Sequence, residues 1–357
     1  MPHTEHSLLL SVLGSLESLS GIFQREELFR TLTTRTLKIL KGRAAILYRV
    51  RNQGDRLELI PSGWTVADGE APQWESWDES DPSVPADPFL ADCLISGQVP
   101  HLQGSDDGWR VAFPIGPLGT THWLLEIHTP YPAGGLVLDA ITGLLRCFEN
   151  LLHQWEYANL DTLTRLLNRK TFDEQFGLLI ADAARAQRLA NDRRHSDFKG
   201  TLPCWLGVVD IDHFKRINDN FGHLFGDEVL LRIANLMQGS FRASDKLFRF
   251  GGEEFVVMLR GVSEDQVGMA FERFRETVVQ HDFPQVGRVT CSVGYARIDP
   301  ALCPAELLGR ADQALYYSKQ DGRNKTHCFD ELVMRGIISL PSHGDSPAQA
   351  DADIFFS

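Results

Sequence analysis

The stretch Arg249-Phe250-Gly251-Gly252-Glu253-Glu254-Phe255 decides the reading of this chain. Apolar residues flank it, Leu247 and Phe248 before, Val256 to Leu259 after. Two β-prone runs joined by paired glycines predict a hairpin, because glycine tolerates the positive φ of a tight turn. On a strand, Glu253 and Glu254 would point to opposite faces and so take different roles. A bare backbone turn beside a carboxylate is a place where a phosphate and its Mg²⁺ can come close. Taken alone, Gly-Gly-Glu-Glu reads as an ordinary surface hairpin. What lies upstream changes that.

Upstream, the strand-like run Trp205 to Asp210 leads into Ile211-Asp212-His213-Phe214-Lys215-Arg216-Ile217-Asn218-Asp219, then Gly222-His223 and Gly226-Asp227. Asp210 closes an apolar strand, where a carboxylate has a function more often than a core place. Asp212 precedes a helical pattern and suits an N-cap. Lys215 and Asn218, three apart, share a helical face.

The chain has 357 residues, which predicts two or three domains. Its net charge of −13 speaks against nucleic acid or an anionic membrane as a general partner. A nucleotide-handling protein with that balance is expected to use a metal ion against substrate phosphates. The six cysteines are scattered without a Cys-x-x-Cys pair, as expected of reduced thiols in the cytoplasm. Residues Met1 to Phe23 have no basic leader and are broken by Ser, Glu and Gly, so neither signal peptide nor membrane insertion is expected.

From Leu8 to Leu40, apolar residues at helical spacing predict helix ending near Gly42. Strands Ala44 to Val50 and Arg56 to Ile60 follow around a Gly54-Asp55 turn. Residues 68–88 read as a long loop, Pro88 to Ser96 as a short helix stopped by Gly97, and Trp109 to Ile115 and His122 to His128 as strands around a Gly119 turn. This order, with Ser96-Gly97-Gln98-Val99-Pro100 and Phe113-Pro114-Ile115, resembles the GAF family of sensory domains, over residues 1–135. The tryptophans Trp64, Trp74, Trp77, Trp109 and Trp123 read as core or pocket lining, and Cys93 as a buried thiol; the residues name no ligand for such a domain. Leu138, Ile141, Leu145, Phe148, Leu152 and Trp155 then repeat at alternating spacings of three and four. That is the a/d seam of a coiled coil, with Asn159 at the next a position, and predicts a parallel two-stranded stalk over residues 136–160. The same spacing also suits a helix packed on its own domain.

Asp210 through Asp227, Arg249 through Phe255, Thr290-Cys291-Ser292-Val293-Gly294, and Ala311-Asp312-Gln313-Ala314-Leu315-Tyr316 with Lys319 and Gly322-Arg323-Asn324 are similar, in order and spacing, to the GGDEF family of diguanylate cyclases. The resemblance covers residues 161–330; the tail 331–357 is expected to be disordered. It implies an α/β (α+β) fold like that of class III nucleotide cyclases, and a homodimer that joins two GTP into cyclic di-GMP. Arg165 stands where the family usually has Gly, and Glu253 where it has Asp.

The resemblance implies a role for each residue. Asp210, the Ile211 carbonyl and Glu253 are hard oxygen ligands for Mg²⁺ or Mn²⁺; Glu254 either holds a second metal or is structural. Glu253 is also the base for the attacking hydroxyl, and Lys215 stabilises the developing phosphorane charge. Asn218 and Asp227 read guanine, Gly251 and Gly252 admit the nucleotide, and Lys319 and Arg323, at i and i+4, hold the triphosphate. Arg242 and Asp245 match the family's Arg-x-x-Asp site for inhibition by the product. A cyclase fold that only senses nucleotide, or a dimeric GAF-driven signalling module, are the other readings; the first is disfavoured because every catalytic position is filled.

Overall fold

A computed structural model describes residues 2–20, 24–53, 56–67, 73–76, 83–96, 100–116, 123–191, 203–242 and 244–339. The Gly54-Asp55 turn, Trp77, Gly97, the Gly119 turn, most of the polar stretch 191–201, Ala243 and the tail beyond 339 lie outside the described residues. The chain divides into two units, Met1–Asn159 and Leu160–Ser357.

The first unit runs α1 Pro2–Ser20, α2 Arg25–Leu40, β1 Ala44–Gln53, β2 Arg56–Val66, β3 Gln73–Ser76, β4 Val84–Pro85, α3 Pro88–Ser96, β5 His101–Ser105, β6 Gly108–Ile115, β7 Trp123–Thr129 and α4 Gly135–Asn159. The helical pattern of residues 8–40 is thus two helices; the second ends on Lys41, whose left-handed backbone (φ 49°) returns its N–H to the last carbonyls. The strands form one antiparallel sheet in the order β3-β2-β1-β7-β6-β5, with β4 also on β2. The stretch expected as a loop therefore supplies two strands. Trp123 belongs to the core, its ring tilted against Phe29 with centroids 4.7 Å apart, while Trp64, Trp74 and Trp109 are half-buried. Burial pushes the Cys93 thiol up to about 12, as expected of an inert buried cysteine.

Most of the stripe expected of the stalk is covered within its own unit. α4 exists, but Leu138, Ile141, Leu144, Leu145, Phe148 and Leu152 are buried in one core with Leu28, Phe29 and Leu32 of α2 and Leu47, Phe113 and Leu125 of the sheet. Each such side chain contributes roughly 1.5–3 kcal/mol by leaving water.

The second unit runs β8 Leu167–Asn168, α5 Arg169–Asn191, β9 Trp205–Ile211, α6 Phe214–Phe221, α7 His223–Ser240, β10 Lys246–Gly251, β11 Glu254–Leu259, α8 Glu264–Gln280, β12 Cys291–Arg297, α9 Pro304–Gln320, β13 Thr326–Cys328 and α10 Phe329–Met334. Its sheet has the order β13-β12-β9-β11-β10-β8. The central strand β9 is buried along its whole length, because both faces are covered. One core joins Val209 and Ile211 to α7 and α8 (Ile233, Met237, Phe271, Phe274); the other joins Leu206 and Val208 to α5, α9 and α10 (Phe172, Phe176, Leu315, Leu332). The tail expectation also moves: Leu332 is 1% exposed, so the folded chain continues past residue 330.

Candidate active site

The hairpin is present, but its turn falls one residue later than expected. Gly251 pairs with Glu254, leaving Gly252 and Glu253 as the turn. Gly252 has φ 49°, and a Cβ at either Gly251 or Gly252 would meet nothing within 4 Å. The argument from opposite strand faces therefore fails for Glu253, which is a turn residue, while Glu254 opens β11. Cross-strand register sets Glu254 directly beside Asp210 at the end of β9. On the other side of Asp210 lies Ser292 of β12.

Asp210 is 6% exposed, and Lys319 at the end of α9 reaches it with Nζ 2.9 Å from Oδ2. Burial raises the proton affinity of Asp210; Lys319 opposes this, and Asp212 and Asp312 add to it, leaving the carboxyl above its ordinary range. Glu253 is raised by burial and by Asp210, and Glu254 by burial, Asp210 and Asp312, with Lys319 opposing both. Asp312, two helical turns before Lys319, is raised by burial against the same lysine. Four carboxylates thus share one ammonium. Asp312 was not among the expected site residues, although its spacing of seven from Lys319 on a helix was a usable signal.

Asp212 does not cap α6; the residue at that position is His213, with φ 60° and no side-chain cap. Asp212 instead accepts from Thr290 Oγ1 (2.7 Å), Ser292 Oγ (2.7 Å) and the Asn324 N–H (3.0 Å). It ties the end of β9 to the turn after α9, where Arg323 and Asn324 are left-handed at φ 62° and 50°. Arg323 is therefore not one helical turn beyond Lys319, because α9 has ended at Gln320. The fixed backbone of that turn presents it.

Lys215 is exposed on the first turn of α6. Asn218 is half-buried, and its Oδ1 lies where a Cβ at position 226 would be, so a side chain there would displace Asn218. The contact brings Asp227, exposed and next along α7, to the corner that carries Asn218.

One further bonded group has no counterpart among the expected site residues. Arg249 donates from Nη2 to the Gly252 carbonyl (2.9 Å) and from Nη1 to Asp161 Oδ1 (3.0 Å), which also accepts from Thr164 N (2.8 Å) and Oγ1 (2.7 Å). The glycine turn is thereby braced against the first residues of the unit. Arg165, in the same loop, has φ 61°, the left-handed backbone for which glycine is the favoured residue. At the Arg-x-x-Asp segment, Asp245 is 7% exposed and accepts from the N–H groups of Arg242 (2.9 Å) and Arg260 (3.4 Å), while Arg242 is exposed. Asp245 thus shapes the turn that presents Arg242.

Residues 158–325 match the family model described as "Diguanylate cyclase, GGDEF domain". This region is a GGDEF domain. Diguanylate cyclase DgcP of Pseudomonas aeruginosa is 39% identical to the chain over 179 residues, 49% of this chain and 25% of that protein. Diguanylate cyclase DgcM of Escherichia coli is 35% identical over 232 residues, 65% of this chain and 48% of that protein. The chain spans a quarter to about half the length of these relatives. A solved structure of the coiled coil and GGDEF domain of DgcB from Caulobacter crescentus, in complex with c-di-GMP, is 30% identical, covers 53% of this chain and 95% of that one, and has a TM-score of 0.45. Among the described residues, no helix of this chain is long and apolar enough to cross a membrane, and no three His, Cys, Asp or Glu side chains are already gathered as a metal cluster. The donor set of the GGDEF domain nevertheless fits a divalent cation, since hard carboxylate oxygens with raised proton affinity are under-neutralised by Lys319 alone.

Proposed function

We propose that this chain is a diguanylate cyclase, which condenses two GTP into cyclic di-GMP and releases two pyrophosphates. The observation that carries this reading is Asp210 and Glu254 side by side across β9 and β11, next to an open Gly-Gly turn, with Lys319 on Asp210. The activity named for the relatives supports it.

In each of two steps a 3′-hydroxyl oxygen forms a bond to the α-phosphorus of the other GTP, and the bond to pyrophosphate breaks. Glu253 takes the hydroxyl proton, a role suited to a carboxyl whose proton affinity is raised by burial and by Asp210. A divalent cation, Mg²⁺ or Mn²⁺, would be held by Asp210, the Ile211 carbonyl, Glu253 and Glu254, and supplies charge neutralisation at the phosphates. Lys319 and Arg323 take the β- and γ-phosphate oxygens, and Lys215 offsets charge at the reacting phosphorus. Asn218 and Asp227 face the guanine edge, whose N1 and N2 donors an aspartate accepts. One domain holds one GTP, so two copies of the chain must face each other; the buried stripe of α4 leaves that contact to other surfaces.

The first unit is read as a GAF-like input domain, supported by its antiparallel sheet covered by α2 and α4 on one side and α3 on the other. Product inhibition is assigned to Arg242, held by Asp245. Incubation of the purified protein with GTP and Mg²⁺ tests the activity: pyrophosphate and a cyclic dinucleotide are expected, and neither appears if the domain only senses nucleotide. Arg242→Ala should relieve inhibition by added cyclic di-GMP with an unchanged initial rate.

A further inference from the structure

Lys319 is the cation common to the whole acidic cluster. Its charge lowers the proton affinity of Asp210, Glu253, Glu254 and Asp312, and its ammonium sits 2.9 Å from Asp210 Oδ2. The Asp210 side chain is 9% exposed and that of Lys319 33%, so the carboxylate end of the pair is shielded from water. The backbone beneath Lys319 is pinned: Ser318 is fully buried, and its Oγ donates to the Val293 carbonyl of β12 at 2.8 Å. Lys319 can therefore leave Asp210 only by swinging its own side chain, not by moving α9. The last turn of a helix also favours a cation, which holds the lysine at this end of the site.

We propose that Lys319 is a stand-in cation on Asp210 in the nucleotide-free protein, so that a divalent metal binds there tightly only once a triphosphate has drawn the lysine away. This rests on reading the cluster as the site of a metal–nucleotide complex. A divalent ion and an ammonium cannot both sit against the same carboxylate oxygen, since like charges a few ångströms apart in a half-buried site repel strongly. Triphosphate oxygens offer the ammonium another partner within reach of its flexible stem. Metal and nucleotide then each raise the other's affinity, and the coupling is reciprocal. The protein avoids holding a free metal ion on Asp210 when no GTP is present.

The test uses the full chain stripped with EDTA, no nucleotide, and Mn²⁺ alone, with free Mn²⁺ read by electron paramagnetic resonance. Lys319→Gln should bind Mn²⁺ at least about fivefold more tightly than wild type, the lower end of ordinary coupling. Lys319→Arg, which keeps the cation, should bind as weakly as wild type. Adding Asp210→Asn to Lys319→Gln should abolish the gain. The proposal is overturned if Lys319→Gln binds no more tightly than wild type, if Lys319→Arg gains equally, or if the gain survives Asp210→Asn. GTP condensation by wild type is read separately as pyrophosphate, so loss of this inference and loss of the cyclase reading are distinct results.

Discussion

Each unit places a buried carboxylate on an inner strand of its sheet, and the two are treated in opposite ways. Glu126 on β7 is 2% exposed and fully partnered: Arg110 Nε (2.6 Å) and His128 Nε2 (2.9 Å) meet Oε1, and the Tyr48 hydroxyl (3.1 Å) meets Oε2. Arg110 is in turn paired with Asp87 at 2.7 Å. Burial pushes the Glu126 carboxyl up, but the bonds from His128 and Arg110 more than offset this and hold it below its ordinary range. Asp210 on β9 is nearly as buried, yet it has Glu253, Glu254 and Asp312 around it and one lysine for all, and its proton affinity is raised. A carboxylate that has spent its lone pairs inside the protein holds a fold together. One that has not is free to act on something that arrives.

The contrast can be broken most sharply by matched Glu→Gln changes. Glu253→Gln should lower turnover of GTP by about 10²–10⁴-fold, the usual worth of a positioned base, while denaturant unfolding of the second unit is unchanged or slightly strengthened because a repelling charge is gone. A variant with wild-type turnover would remove Glu253 from the chemistry. Glu126→Gln should do the reverse, costing the first unit about 3–5 kcal/mol in denaturant unfolding because Arg110 loses a buried partner.

Asp161 separates partnering from location. It lies in the second unit with the acidic site but is satisfied like Glu126, by Thr164 and Arg249, and its carboxyl is held low. Asp161→Asn should cost about 1–3 kcal/mol in unfolding, less than Glu126→Gln because the pair is partly exposed. A neutral outcome would mean that the brace on the Gly252 carbonyl contributes no stability.

The smallest effect is in pH, measured in EDTA. Raised carboxyls bind protons more readily folded than unfolded, so the contribution of Asp210, Glu253 and Glu254 should stabilise the second unit as pH falls from their raised values towards about 4. Glu126, held low, keeps its contribution above about 4 and loses it only as pH falls through its depressed value. Above about pH 4 the raised set should therefore make the second unit more stable as pH falls, while Glu126 adds no slope to the first, read as unfolding midpoints of the two units. Equal slopes in wild type and in Glu253→Gln would mean that Glu253 does not feel its neighbours.

Local chemistry made much of the second unit legible. An apolar run ending in Asp210, paired glycines before two glutamates, and a corner glycine at 226 are short-range constraints, and they stand where the spacing put them. The Gly-Gly turn slipped by one residue because the hairpin register depends on how β11 pairs with β9, a contact outside the hairpin. Asp212 was misread for a similar reason: an aspartate before a helix suits a cap, but its three actual donors come from positions 290, 292 and 324.

Periodicity by itself determined that residues 136–160 form a helix with one apolar stripe, because spacings of three and four put side chains on one face whatever covers them. Whether that stripe met a second chain or its own sheet was settled only by tertiary structure, since Leu and Ile gain the same from either cover and the nearer core of α2 and the sheet had claimed it. The residue types of the acidic site were likewise set in the sequence. That Lys319 stands on Asp210, with Asp312 beside it, was decided by packing α9 against β12 and β9, because charge pairing between residues so distant along the chain has no local signature.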